Sequence, residues 1–324
     1  MDSIEIDHLD RQLLHALQLD GRAPFNRVAS ALGVSEHTVG RRYRRLRTSG
    51  LFVVGEPDSE RLGYTRWLLR IRCTPDAVTT IADALGRRAD TSHVSVASGG
   101  TEVHCSITTH SAEEADAILL SKLPRTPRMV SFDAHCVLRT FCGTPPSWYT
   151  KQGALDSDQA TALMPPTEET PRDIDEVVVL DAADHSLMSA LAVDGRATFP
   201  QLTAATGISA SSLSRHLDRL RAVGALHICL DYPPARLGYQ KMAKLWLRVA
   251  PGELESIGET LGTHPETDLV AATTGPFNLV ATVICRNAKH LYVYLNNQIG
   301  ALSGVQSVET APLIREVKRL SVRR

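Results

Sequence analysis

No stretch of about 20 apolar residues exists in the 324-residue chain, so no segment is long enough to cross a membrane as a helix. The opening "MDSIEIDHLD" is acidic and lacks a basic segment followed by an apolar one, so no secretory signal is expected. The six cysteines (Cys73, Cys105, Cys136, Cys142, Cys229, Cys285) include no Cys-x-x-Cys pair. A tetrahedral metal site needs ligands paired at short spacing, so no metal is expected. The thiols read as reduced, mostly buried residues of a cytoplasmic protein. There is no Ser/His/Asp signature and no Gly-rich phosphate loop, so no catalytic residue or cofactor is expected, and the chain reads as a non-enzyme. An excess of one charge is also missing. Lys and Arg number 35 against 36 Asp and Glu, a net charge of −1, which excludes a uniformly basic nucleic-acid coat.

The charge is nevertheless uneven. Arginine dominates from Asp7 to Glu56, and acids dominate from Lys151 to Val177. "SEHTVGRRYRRLRTSG", residues 35–50, holds five arginines while its apolar residues keep helical order. The surrounding segment is also repeated. "LDGRAPFNRVASALGVSEHTVGRRYRRLRTSG" matches "VDGRATFPQLTAATGISASSLSRHLDRLRAVG" at an offset of 195 − 21 = 174. Between Asp7/Asp181 and Gly50/Gly224, 18 positions are identical, which marks a duplicated unit. "RLGY" recurs at 61–64 and 236–239, and "VASGGTEVHCSI" corresponds to "AATTGPFNLVATV". The proline-rich, acidic stretch 143–176 reads as a linker. Its "PSWYT" could instead dock onto a domain, because Trp148 and Tyr149 are costly to leave in water.

Within the first copy, Leu9, Leu13, Leu14 and Leu17 define an amphipathic helix. "DGR" ends it, with Gly21 expected as a left-handed cap. Pro24 can open a second helix, and Ser35 is a good N-cap for a third. Val39, Tyr43 and Leu46 face inward on that third helix. His37, Thr38, Arg41, Arg44 and Arg45 cluster on the far side, and no acid within the helix answers the arginines from Arg41 to Arg47. Two helices joined by a short Gly turn, the second basic, form a helix-turn-helix. After each one the period changes to strands and helices in the order β-α-β-β-α-β of a ferredoxin-like sandwich. "TRWLLRIR" begins it in the first copy and "KMAKLWLRV" in the second. Sheets with helices on one face, and strands as apolar as "LWLRV" and "LVATV", should pair to cover the other face.

These features together resemble the leucine-responsive/asparagine (Lrp/AsnC) regulators: "LDxxD…LxxDGR", the "GVS" third helix, "RLGY" and "TTGxxN". The match covers both copies, so the chain resembles a tandem fusion of two such units. The fold class is α+β, with two winged/helix-turn-helix domains each followed by a ferredoxin-like βαββαβ domain. The boundaries read 1–55 and 177–230 for the helix-turn-helix domains. The α/β domains take 62–142 and 237–324, on either side of the 143–176 linker.

The resemblance implies a sequence-specific DNA-binding transcriptional regulator that associates with itself as a dimer or tetramer. Double-stranded DNA is the partner expected, with no membrane partner. Arginine suits phosphates and guanine edges because its planar fork donates two parallel hydrogen bonds. The DNA-reading residues are expected to be His37, Thr38, Arg41, Arg42, Arg44 and Arg45, then Ser211, Ser212, Arg215 and Arg219. Asp218 stands where Arg44 does, so the second reader is expected to be weaker. The resemblance also implies a small-molecule effector, such as an amino acid, held by turn residues between α/β domains. Those residues are Ser98, Gly99, Glu102, Thr274, Gly275 and Asn278. The family usually carries aspartate where Glu102 and Asn278 stand. The alternative is a siroheme decarboxylase-like enzyme of the same architecture. Those enzymes carry a His-Asn-Tyr stretch and an arginine, whereas here His93 is isolated.

Overall fold

The computed structural model describes residues 5–143, 148–164, 177–320 and 322–323. In chain order its main elements begin with α1 (His8–Leu19), α2 (Phe25–Leu32), α3 (Glu36–Thr48) and β1 (Phe52–Pro57). Then come β2 (Thr65–Cys73), α4 (Val78–Gly86), β3 (Thr91–Ala97), β4 (Glu102–Thr109), α5 (Ala112–Asp116) and β5 (Met129–Cys142). After α6 (Ser157–Leu163), the second copy supplies α7 (Ala182–Val193), α8 (Phe199–Thr206), α9 (Ala210–Ala222) and β6 (Leu226–Asp231). It ends with β7 (Lys241–Val249), α10 (Leu254–Thr263), β8 (Thr267–Thr273), β9 (Leu279–Cys285), α11 (Ala288–Tyr294), β10 (Val305–Arg319) and β11 (Val322–Arg323). None of the described helices is long and apolar enough to cross a membrane.

The chain folds into two compact units that do not follow its halves. One collects both helix-turn-helix domains (1–63 and 144–236), the other both α/β domains (64–143 and 237–324). In the first unit the sequence signals act locally as expected. Asp7 and Asp10 form a capping box on α1, and Asp181 and Asp184 repeat it on α7. Ser35 caps α3 by accepting from the Thr38 amide, and Gly33 closes α2 at φ 66°. Val39 and Leu46 are buried.

Gly21 departs from its expected role. It is not left-handed, and Asp20 caps α1 in an extended conformation. A Cβ at Gly21 would lie 2.5 Å from the Ile228 side chain, so glycine is required there by the close approach of β6. That strand and β1 pair antiparallel, with Phe52 opposite Asp231 and Pro57 opposite Leu226. Since 226 − 174 = 52 and 231 − 174 = 57, exchanging the copies reproduces the same ladder. The contact is therefore isologous, as in a two-fold dimer, but it is made within one chain.

Much of the expected linker is docked on this unit. Trp148 and Tyr149 are buried, and the Tyr149 hydroxyl accepts from the Tyr232 amide at 2.9 Å. The Leu155 amide donates to His15 Nδ1, and Arg27 donates to the Ala162 carbonyl at the end of α6. Residues 144–147 and 165–176 of that stretch lie outside the described residues.

In the second unit each α/β domain has the sheet order of a ferredoxin-like sandwich: β3-β4-β2-β5, then β8-β9-β7-β10. The two sheets pair as expected, and they do so edge to edge at both ends. Val137 on β5 lies opposite Thr273 on β8, and Leu313 on β10 lies opposite Ala97 on β3. The offset here is 176 (137 + 176 = 313; 97 + 176 = 273). Eight strands therefore close into a ring with no free edge, the state that removes the risk of edge-to-edge association. Helices cover the outer faces over two separate cores. Leu68, Ala97, Trp246, Val280 and Ala311 form a third core on the inner face.

Candidate nucleic-acid interface and effector turns

The third helices hold two kinds of arginine. Arg41 and Arg44 are exposed and have no polar partner among the described residues. Arg42 and Arg45 are ion-paired. Arg42 donates to Asp7 at 2.8 Å and to Asp10 at 2.9 Å, and Arg45 also meets Asp10, which is fully buried. The expectation that these arginines lack an acidic partner is corrected: the acids come from α1, about 35 residues away. Arg42 and Arg45 thereby tie the reading helix to its neighbour. His37 is exposed, and Thr38 shares a hydrogen bond with Ser35.

The second copy repeats this arrangement. Arg219 pairs with buried Asp184, as Arg45 does with Asp10. His216 takes the place of Arg42, with Nδ1 2.8 Å from Asp184. Asp181, Asp184 and His216 thus bring ligand-type atoms within 4.8 Å of one another, a cluster accounted for by helix capping and the bond to Arg219. Arg215 remains exposed, as does Ser211, while Ser212 is half-buried. Asp218 accepts from Ser214 at 3.3 Å.

Between the two domains lies a reciprocal clasp built from the duplicated "DGR". Arg22 donates to the carbonyls of Gly195 and Ala197 at 2.7 and 3.0 Å. Arg196 returns the bonds to Gly21 and Ala23 at 2.6 and 3.0 Å. Arg221 pairs with Asp20 at 3.0 Å and Arg47 with Asp194 at 3.8 Å. Burial first, and the mutual repulsion of the guanidiniums second, lower the pKa of Arg22. Sequence reading took "DGR" as a helix terminator and missed this role. The signal available was the duplicated arginine, which a helix end does not need.

The two effector turns differ from each other. In the first, Ser98 donates to Glu102 at 2.9 Å, and added Cβ atoms at Gly99 and Gly100 would meet nothing within 4 Å. In the second, Gly275 (φ +102°) faces His135, whose ring would lie 2.8 Å from an added Cβ. Thr274 pins β5 through the Cys136 amide at 2.9 Å. Asn278 exchanges two hydrogen bonds with the Val249 backbone. The first turn is thus open and the second is closed by its own neighbours.

Glu102 joins the first turn to a buried charge network. Arg70, 4% exposed, donates to Glu102 at 2.7 and 3.1 Å and to Glu309 at 2.9 Å. His104 stands 3.2 Å from Glu102, and the Arg70 guanidinium lies 5.7 Å from the centre of the Trp246 ring. Burial lowers the His104 pKa to about 4 against the pull of Glu102, so the ring is neutral at pH 7. Burial alone would raise the Glu102 pKa, but donors from His104, Arg70 and Ser98 prevail and hold it well below the usual range. His93 is exposed on β3, with Ser92 3.3 Å from its Nδ1.

The architecture is a pair of helix-turn-helix domains, of the DNA-binding type, joined to a pair of ferredoxin-like α/β domains. Models of the AsnC-type helix-turn-helix domain, the winged helix-turn-helix DNA-binding domain and the Lrp/AsnC ligand binding domain match residues 6–47, 180–224 and 242–322 respectively. The chain is 27% identical over 142 residues to the HTH-type transcriptional regulator FL11 of Pyrococcus horikoshii, covering 44% of this chain and 93% of that one. It is 25% identical over 158 residues to the regulatory protein AsnC of Escherichia coli, covering 44% and 99%. The fold of the siroheme decarboxylase NirDL superposes with a TM-score of 0.61 at 15% identity, covering 98% of this chain and 94% of that one. The chain thus carries two helix-turn-helix domains and an Lrp/AsnC ligand binding domain, and it is similar to Lrp/AsnC regulators along each half.

Proposed function

We propose that this protein is a sequence-specific DNA-binding regulator whose two unequal readers are carried by one chain and whose affinity responds to a small molecule. The observation that carries this reading is the outer face of α3, where Arg41 and Arg44 stand unpaired on a helix anchored by Arg42 and Arg45. Immobilised anchors fix the helix, and the free guanidiniums beside them are available to phosphates and guanine edges. The second reader offers Arg215 with Ser211 and Ser212, and Asp218 opposes a phosphate where Arg44 attracts one. Two readers on one duplex face would engage grooves about 34 Å apart, at half-sites that need not be identical.

Fragments selected from genomic DNA, titrated at several salt concentrations, test this. Arg44→Ala is expected to weaken binding and to flatten the slope of log affinity against log salt by about 0.9. Asp218→Ala is expected to leave binding unchanged or to improve it. Equal losses in the two variants would refute the asymmetry, and salt-independent binding would refute the reading itself.

For the effector we propose an amino acid or similar small molecule at the first turn, Ser98–Glu102, because the space above Gly99 and Gly100 is open there. Gly275 is a poor probe of such a site, since a bulky residue would press on His135. The same titrations repeated with a panel of amino acids, on wild type and Gly99→Val, read this part. An effector response that survives Gly99→Val would place the site elsewhere.

The decarboxylase reading rests on one observation, a fold shared along nearly the whole of both chains. Absence of haem-type absorbance on mixing with siroheme is the expected result, and its appearance would favour the enzyme.

A further inference from the structure

The first α/β domain contains an open cleft of about 530 Å³ between α4 and the segment leading into β5. That volume lies in the range of small-molecule sites, about 300–1,000 Å³. Its walls are apolar, with Ile71 from β2, Ile81 and Leu85 from α4, and Leu123 and Met129 opposite. Its charged lining is mostly cationic: Arg88, Lys122 and Arg128 against a single acid, Asp76.

The duplication supplies a control for this space. At the 176 offset, Ile118, Arg88 and Thr126 correspond to Tyr294, His264 and Leu302 (294 − 118 = 264 − 88 = 302 − 126 = 176). In the second domain the Tyr294 ring is 2% exposed, and its hydroxyl lies 3.0 Å from His264 Nδ1. Tyr294 and Leu302 pack there with Ile257 and Leu261 in one apolar core. In the first domain the ring is replaced by isoleucine, and Arg88 turns to Asp90 at 2.8 Å. Thr126 donates its hydroxyl to the Lys122 carbonyl. The first domain thus has a smaller side chain at two positions where its twin packs an apolar core, and the cleft beside them offers room for a ligand.

The charges indicate what that is. Arg128 is paired with Asp76 and Arg88 with Asp90. The Lys122 ammonium has no partner among the described residues. We propose that the cleft binds a small amphipathic anion, with an apolar body of medium-chain or aryl size between α4 and Met129 and one carboxylate head at Lys122. The site is separate from the effector turn, and its test uses no DNA.

Titration calorimetry of the full chain with octanoate and with octan-1-ol reads both parts of the site. Wild type is expected to bind octanoate more tightly than the alcohol. Lys122→Ala is expected to lower octanoate affinity about tenfold, towards that of the alcohol. The double variant Ile118→Tyr, Thr126→Leu copies the filling of the second domain and is expected to abolish binding of both while retaining a cooperative melt. No octanoate binding at millimolar concentration, equal affinity for the two probes, or undiminished binding in the filled variant would each overturn the proposal. If the filled variant fails to fold, the Lys122→Ala comparison still decides.

Discussion

Arg70→Ala is expected to lower the stability of the α/β unit by about 3–5 kcal/mol, the range for stripping one partner from a buried ion pair. Glu102 is 5% exposed and would keep Ser98 and His104 as donors, but no buried countercharge. Arg72 stands 3.4 Å away with a half-exposed side chain, too wet to compensate in full. The effect has a pH signature. Because the folded-state pKa of Glu102 is depressed, its contribution is fully present above the unfolded carboxylate value of about 4.3 and is lost as pH falls towards the folded value. The gap between wild type and variant should therefore be widest near neutrality and should narrow in acid. Urea unfolding at several pH values measures it. Arg70→Ala combined with Glu102→Gln should cost less than the sum of the single losses, since the stranded charge is gone. A loss below about 1 kcal/mol at pH 7, or a gap that widens in acid, would show that the network carries no net stabilisation.

The clasp between the helix-turn-helix domains should give the second large effect. Arg22→Ala and Arg196→Ala each remove two hydrogen bonds from a guanidinium to carbonyls of the other domain. At about 1.5 kcal/mol or more per charged bond, each variant is expected to lose about 3 kcal/mol. The double variant should lose more than the sum, because the repulsion between the guanidiniums is relieved in each single variant but only once in the double. Trp148 is the single tryptophan of this unit, so with Trp67 and Trp246 replaced by phenylalanine in every variant its fluorescence reports the transition. Single variants that unfold within about 0.5 kcal/mol of wild type would mean that the β1–β6 ladder alone holds the pair.

What could be read from the sequence was what local rules govern. Ser35, Val39 and Leu46 fix α3 through capping and a 3.6-residue period. Short apolar stretches such as "TRWLLRIR" and "KMAKLWLRV" identify β2 and β7, and the repeat predicts the same order twice. What could not be read depends on segments that meet only after folding. A helical wheel assigns Arg42 and Arg45 to a face of α3 but cannot show that Asp10 of α1 arrives there. The composition of 143–176 suggests a linker with docking of "PSWYT" as the alternative, and the alternative holds for Trp148 and Tyr149, though their partner Tyr232 could not be named in advance. Gly99 and Gly275 occupy equivalent turns and look alike in sequence. Only the approach of His135, where the other copy has Ala311, separates an open turn from a closed one. The cleft was illegible for the same reason: its smaller side chains stand out only against the twin domain.

The closed ring of strands has a consequence for how this protein can change. In an assembly of two identical chains, every substitution near the axis is made twice, and each new side chain must tolerate its own image. Here each is made once. The position that holds Arg70 in one domain holds Trp246 in the other, and the two now stack within 5.7 Å instead of each confronting a copy of itself. The pairing is also unimolecular, so its midpoint of unfolding does not depend on protein concentration, and dilution cannot separate the halves. One chain thus carries the two-fold geometry of a dimer without its requirement of self-complementarity.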